Sequence, residues 1–150
     1  MVSVELLRQA SLFEGLTDDQ LAQVSKIASQ VTVQANQYVF GENDGASDLY
    51  IVVSGRVAVL IDIGGGKQTM VDTISPGETF GWSAVVPPHI MTASAKAVEP
   101  TVLLSVPGRQ VRDFCLTDCR MCYQIMENLA RTISTRLKDT RLQLTSLAST

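Results

Sequence analysis

The feature that most constrains this chain is a change of hydrophobic period. Between residues 30 and 106 the apolar residues stop recurring every three or four positions and gather into short β-rich runs. Val31 and Val33 alternate with polar residues, Tyr38-Val39-Phe40 is β-rich, LYIVV covers 49–53 and RVAVLIDI covers 56–63. Ser54-Gly55 joins the last two. Gly64-Gly65-Gly66-Lys67 reads as a hairpin turn with QTMVDTI as its return strand. Pro76-Gly77 marks a further turn, and TASAKAVEP and TVLLSV complete the set. Many short strands at a spacing of ~8–12 residues, punctuated by turn signals, predict a sandwich or barrel.

Helical patterns flank this zone. Leu6, Leu7, Ala10 and Phe13 form a short amphipathic stretch closed by Gly15. Thr17 then precedes DDQLAQVSKIAS. Thr17 is an N-cap residue, Asp18 and Asp19 suit the positive end of the helix dipole, and Gln20 completes a capping box. Leu21, Val24 and Ile27 line one face. After the strands, Pro107-Gly108 opens RQVRDFCL, and Asp118 is the N-cap expected for a long helix from about Cys119 to Leu147. Cys122, Met126, Leu129, Ile133, Leu137, Thr140, Leu144 and Leu147 recur along it at spacings of 3 and 4, a near-heptad stripe. Such a helix extends about 40 Å and overhangs a compact β-domain. Its first turns are expected on that domain and its later turns against the same helix of a second copy, giving a homodimer through 119–147. Thr140, Gln143 and Arg136 interrupt the stripe.

Composition narrows the function. With 150 residues the chain makes one domain, and 45% apolar against 18% charged residues excludes a disordered chain. No apolar run approaches the ~18 residues that cross a bilayer, and MVSVELLRQA lacks the basic and apolar regions of a signal peptide. No membrane partner is expected, and the expected compartment is the cytoplasm. Net charge is −3. Residues 1–108 carry five basic and eleven acidic groups, and 109–150 carry seven and four. The mildly basic end is interrupted by Asp113, Asp118, Glu127 and Asp139, which reads as a solvated helix face. No nucleic-acid partner is expected. His89 is the sole histidine, so a His-rich metal site cannot form, and no GxSxG elbow or P-loop accompanies it. The expectation is a protein that is not an enzyme and has no metal site.

Four segments carry a resemblance. LLRQASLFEGLTDDQL looks like LxxxxLFxGLSxxxL, and VFGENDGASDLYIVVSGRVAV looks like IFxEGDxxDxLYIVxxGxVxV. PGETFGWSAVVPPHIMTASAKA stands in the place of a phosphate-binding cassette, and VRDFCLTDCRMCYQIMENLARTISTRL looks like two closing helices. Together they resemble the cyclic-nucleotide-binding domain of catabolite-activator and fumarate-nitrate-regulator type proteins, of cyclic-nucleotide-dependent kinase regulatory subunits and of gated channels. The resemblance implies an α+β fold: a small jelly-roll β-barrel (30–106) between N-terminal helices (1–29) and C-terminal helices (107–150). It also implies a regulatory, ligand-binding role. Asn36 and Asn43 stand where the family prefers glycine, and asparagine is the next most tolerant residue of positive φ.

The cassette departs further. In the family it reads roughly FGE…PRxA(T/S), in which a glycine and backbone N–H groups cradle the cyclic phosphate, the acid accepts from the ribose and the arginine neutralises the phosphate. Phe80-Gly81 is retained, but Trp82 stands at the acid position, Ile90 at the proline and Met91 at the arginine. Both charged anchors are absent. A charge-assisted contact contributes ~1.5–3 kcal/mol, and each ~1.4 kcal/mol is tenfold in affinity, so losing the arginine alone weakens binding by one to several orders of magnitude.

The candidate ligand-binding residues are Phe80, Gly81, Trp82, Ser83, Ala84, Met91 and Thr92, with Thr140 and Arg141 on the long helix, where the family contacts the base across the dimer. Trp82 either stacks on a planar ligand or is a core aromatic. Met91 and Thr92, expected to face opposite ways, are either an apolar phosphate corner with a hydroxyl beside it or simply barrel residues. His89 is either an anion contact or an exposed loop residue. Lys96 and Arg109 are further cations without an assigned place. Cys115, Cys119 and Cys122 form CxxxCxxC. Three thiolates are an incomplete structural zinc set, so buried structural cysteines are expected, without disulfides, with a cluster or redox switch as the alternative.

The sequence stops at Thr150 directly after the long helix, so no DNA-reading element is expected in these residues, and the signal is expected to pass to a protein partner, with a downstream domain as the alternative. The expected ligand is a cyclic nucleotide or another small anionic metabolite. The alternatives are a ligand-free dimeric scaffold whose pocket is filled by Trp82 and Met91, and a cysteine-based redox sensor.

Overall fold

The computed structural model describes residues 1–148. Ser149 and Thr150, the end of the expected C-terminal helical segment, lie outside the described residues. The elements are α1 (Val4–Arg8), α2 (Asp18–Ile27), β1 (Ser29–Val33), β2 (Tyr38–Phe40), β3 (Asp48–Ser54), β4 (Val57–Gly64), β5 (Lys67–Ile74), β6 (Thr79–Phe80), β7 (Ser94–Ala97), β8 (Thr101–Pro107), α3 (Gly108–Thr117) and α4 (Cys119–Ala148).

The strands form two four-stranded antiparallel sheets, ordered β1-β8-β3-β6 and β2-β7-β4-β5. This is the expected jelly-roll order, and the hydrogen-bonded ladder does not run from one sheet into the other. The fold class stands, with helices at both ends. Asn36 (φ 69°) and Asn43 (φ 72°) do adopt the left-handed backbone that glycine usually supplies.

Chemistry within each segment explains the elements. Thr17 Oγ1 accepts from Gln20 N (3.2 Å) and Gln20 Oε1 accepts from Thr17 N (2.9 Å), so the capping box closes both ways. LYIVV is continuously apolar because both faces of β3 are covered. Leu49 and Ile51 pack with the helices, whereas Val52 packs inside the sandwich. β8 repeats this, with Leu104 and Val106 towards the helices and Leu103 inward. The hairpin β4–β5 has no such cover at its tip, where Ile63 and Met70 are exposed.

α4 docks by a face that overlaps the expected stripe at Met126, Leu129 and Ile133 and extends to one side of it. Its buried residues are Met121, Ile125, Asn128 and Leu129. Asn128 Nδ2 donates to Leu12 O (2.9 Å) and Glu14 O (2.8 Å), tying α4 to the N-terminal segment. Beyond Ile133 the stripe is exposed: Leu137, Leu144 and Leu147 are 49%, 62% and 73% accessible in the single chain.

The cysteine expectation is corrected. Cys115 and Cys122 form a disulfide, with Cα atoms 4.8 Å apart, and Cys119 is free and exposed. The cause is the extended residue Asp118 (φ −136°, ψ 90°), which turns the chain between α3 and α4. The last turn of α3 then faces the first turn of α4. Among the described residues no cluster of side chains could hold a metal ion, and no helix is long and apolar enough to cross a membrane.

Candidate functional site

β6 delivers Phe80 into the sandwich, and the chain then turns sharply at Gly81 (φ 75°) into a 3-10 turn, Trp82–Ala84. Gly81 is needed for two reasons. Its backbone is left-handed, and a Cβ there would stand 3.2 Å from the Tyr50 ring and 3.3 Å from Asp48 O. Below it Phe40, Tyr50 and Phe80 stack with centroids 5.4–6.0 Å apart, an aromatic floor for the cup.

Phe80, Gly81, Trp82, Ser83, Met91 and Thr92 come together around one cavity, joined by Phe40, Val59, Ala93 and Arg136. Met91 is buried and Thr92 exposed, the opposite facing expected of neighbours on an extended chain. The cavity holds about 60 Å³, room for about two water molecules, where small-molecule pockets measure ~300–1,000 Å³. A larger open depression of about 540 Å³ is lined by Glu42, Asn43, Asp62 and Ser94 and shares no lining residue with this cavity.

Arg136 closes the mouth. Its guanidinium carbon lies 4.8 Å from the centroid of the Trp82 ring, and Nη2 donates to Thr79 O. Nε stands 3.6 Å from Asp72 Oδ2. Burial pushes the Arg136 pKa down, against the opposing pull of the Asp72 and Glu78 carboxylates, and the group stays charged. The sequence reading placed Arg136 only as a flaw in the α4 stripe. The signal that could have found it is its spacing, since Ile125, Leu129, Thr132 and Arg136 succeed one another at helical intervals of 3 and 4 on the docked face.

Three expected residues lie elsewhere. Ala84 is buried behind the cavity against Gly108, where a Cβ on residue 108 would come within 2.3 Å of Ala84 O. Thr140 and Arg141 are exposed beyond the cavity, and Thr140 Oγ1 donates to Arg136 O (2.9 Å) within its own helix. His89 is neither an anion contact nor a free loop residue. Its Nδ1–H donates to Ser83 O (2.8 Å), and Arg112 Nη1 lies 3.2 Å from its Nε2. Arg112 Nη1 also donates to Ala84 O (2.7 Å), so α3 grips the cassette from behind. Lys96 lies over the Tyr38 ring (5.3 Å), apart from the cavity lining.

The profile of the cyclic nucleotide-binding domain family matches residues 30–118. This chain belongs to that family. The CRP-like cAMP-activated global transcriptional regulator of Mycobacterium tuberculosis is 26% identical over 146 residues, which is 97% of this chain and 63% of that protein. A solved structure from Geobacter metallireducens, described as cyclic nucleotide-binding, superposes with a TM-score of 0.82 at 28% identity, covering 91% of this chain and 99% of that one. The catabolite activator protein of Thermus thermophilus superposes with a TM-score of 0.75 at 27% identity, covering 93% and 63%. The chain thus spans about 63% of the length of the first of these regulators. Of these relatives, the Mycobacterium tuberculosis protein is described as a transcriptional regulator. The expectation of no nucleic-acid role is therefore one about these residues and does not extend to the relatives.

Proposed function

We propose that this cyclic nucleotide-binding domain is a regulatory module whose cassette is closed by its own side chains at rest, and which signals through α4. The observation that carries this reading is the stacking of Arg136 on Trp82 over a cavity of about 60 Å³. A ligand must displace that pair. The occupant that fits is a small anion bearing a planar group. The anion would take the guanidinium from Thr79 O and Asp72, and the ring would take its place on the indole. Because Arg136 belongs to α4, ligand entry would shift that helix, and a ligand transmits a signal only through different affinities for the two helix positions.

The exposed leucines of α4 support a second copy of this chain as partner, with a further protein partner reading the helix position. Light scattering tests the dimer: a dimer is expected, and L137E/L144E is expected to return a folded monomer. Titration calorimetry with cyclic AMP and cyclic GMP tests the cassette. Dissociation constants above ~100 μM are expected from the missing anchors, and sub-micromolar binding of either would overturn the reading.

A second reading, a ligand-free dimeric scaffold, is favoured by the small cavity volume. The emission of Trp82, the sole tryptophan, separates the two. It responds to added anionic metabolites if the module takes a ligand, and stays constant if the pair is a permanent plug.

A further inference from the structure

We propose that the α3–α4 corner is a thiol–disulfide exchange site that sets how firmly the cassette is held. The proposal rests on the cassette being the regulated site, and adds the chemistry that acts on it. The reactants it would take are low-molecular-weight thiols and disulfides.

Three cysteines meet at one corner. Cys115 in α3 is bonded to Cys122 in α4, and Cys119 is a free, exposed thiol. Leu116 and Tyr123 beside them are 82% and 70% accessible, so a small reagent reaches the corner. Cys119 and Cys122 form a Cys-X-X-Cys in the first turns of α4, a spacing that pairs two sulfurs within one helix start. Exchange therefore balances internally. The Cys119 thiolate attacks Cys122 Sγ, the Cys119–Cys122 bond forms, the Cys115–Cys122 bond breaks, and Cys115 leaves as thiolate and takes up the proton. Full reduction by a dithiol adds two electrons and two protons to the bond, and the dithiol becomes a cyclic disulfide.

The two bonds constrain different things. α4 is anchored without either, through Met121, Ile125, Leu129 and the paired donors of Asn128. α3 fully buries only Gly108 and Val111 and packs Phe114 partly against the core. Arg112, one turn before Cys115, is the residue that holds Ala84 O and the His89 ring. The Cys115–Cys122 bond thus fixes the turn of α3 that grips the cassette. A Cys119–Cys122 bond lies inside α4 and leaves that turn of α3 held only by the partly buried Phe114 and by Arg112.

The test needs no ligand, so its failure is distinguishable from failure of the nucleotide titrations. The full chain is treated with oxidised glutathione or with dithiothreitol. Free thiols are mapped by alkylation and mass spectrometry, and Trp82 accessibility is read by acrylamide quenching. In the oxidised wild type Cys119 is expected to be the main alkylated thiol, with a minor species alkylated at Cys115 instead. That minor species is expected to vanish in C119S. Reduction is expected to raise the quenching constant of Trp82 about twofold in both proteins, reversibly, as the cassette loosens locally. Quenching that is equal in the two redox states, absence of the Cys115–Cys122 bond after oxidation, or absence of the Cys115-alkylated species would each overturn the proposal.

Discussion

Arg136 lies with its guanidinium carbon 4.8 Å from the Trp82 ring centroid, and this one contact joins the long helix to the cassette. The positive charge that Met91 cannot supply is present at the cup mouth, but it is engaged by protein groups: Thr79 O, Asp72 and the indole face. R136A removes all three contacts. A desolvated cation–π contact contributes up to ~2 kcal/mol and a charged hydrogen bond ~1.5–3 kcal/mol, so after relaxation and water entry a loss of about 1–3 kcal/mol is expected in urea unfolding. Trp82 emission is expected to shift to the red. R136K, which keeps the charge but not the planar fork, is expected to fall between. An unshifted spectrum in folded R136A would show that Arg136 does not cover the ring.

Asn128 is the second tether of α4, and its loss has a different signature. It is buried, and its amide donates to Leu12 O and Glu14 O while its oxygen accepts from Gln124 Nε2 (3.1 Å). N128A strands two backbone acceptors, each costing ~1–3 kcal/mol when buried without a partner. A destabilisation of about 2–4 kcal/mol is expected from chemical denaturation, larger than for R136A, with native Trp82 emission retained below the transition.

These two residues mark what the sequence could and could not disclose. The Thr17–Gln20 capping box was legible because its chemistry is complete within four residues, and the left-handed Asn36 and Asn43 because they stand where the resembled family prefers glycine. The paired-face strands were legible because burial on two sides leaves LYIVV without polar residues. The docked face of α4 was legible only in part, because two stripes run along the helix. The expected one, through Cys122, Met126, Leu129 and Ile133 into Leu137 and Leu144, meets the core in its first turns, while the other runs through Met121, Ile125 and Asn128 towards Arg136 at the cavity. How far each stripe is buried depends on how Asp118 turns the chain, a tertiary property. The same turn brought Cys115 to Cys122, against the expectation of separate buried thiols. For the cassette, the turn at Phe80-Gly81 was legible. The arginine arriving from 54 positions away was not.

Asp118 gives the pH dependence its sign. Its Oδ1 accepts from Met121 N (3.0 Å), and Gln20 Nε2 donates to Oδ2 (3.3 Å). The hydrogen bond from the Met121 backbone is the largest influence holding its pKa below the usual value of 3.8. A carboxyl with a depressed folded pKa contributes stability that is present above its unfolded pKa and is lost as pH falls through the folded one. D118A is therefore expected to lower the melting temperature at pH 7, where the cap is ionised. The gap to wild type is expected to shrink as pH drops below about 4. Thermal unfolding followed by circular dichroism at pH 7, 5 and 3 reads both, and a gap that stays constant to pH 3 would show the cap is not electrostatic.

Restoring the anchors asks whether the cradle itself survives. Gly81 keeps the left-handed turn and the close approach to Tyr50 that the cassette requires, so the backbone geometry is in place. M91R alone is expected to gain less than about tenfold in affinity for cyclic AMP, because the Trp82–Arg136 pair still fills the mouth. W82E/M91R removes the indole, frees Arg136 from its stack and supplies both an acceptor for the ribose and a fork for the phosphate. Two charge-assisted contacts at ~1.5–3 kcal/mol each correspond to roughly two to four orders of magnitude in affinity, measurable by calorimetry. Met91 is 3% exposed, so an unliganded arginine there destabilises the fold unless it pairs with the new carboxylate. The double variant is therefore expected to be more stable than M91R. A double variant that is folded by circular dichroism yet binds neither cyclic AMP nor cyclic GMP would place the defect in the backbone of Trp82–Ala84 rather than in its lost charges.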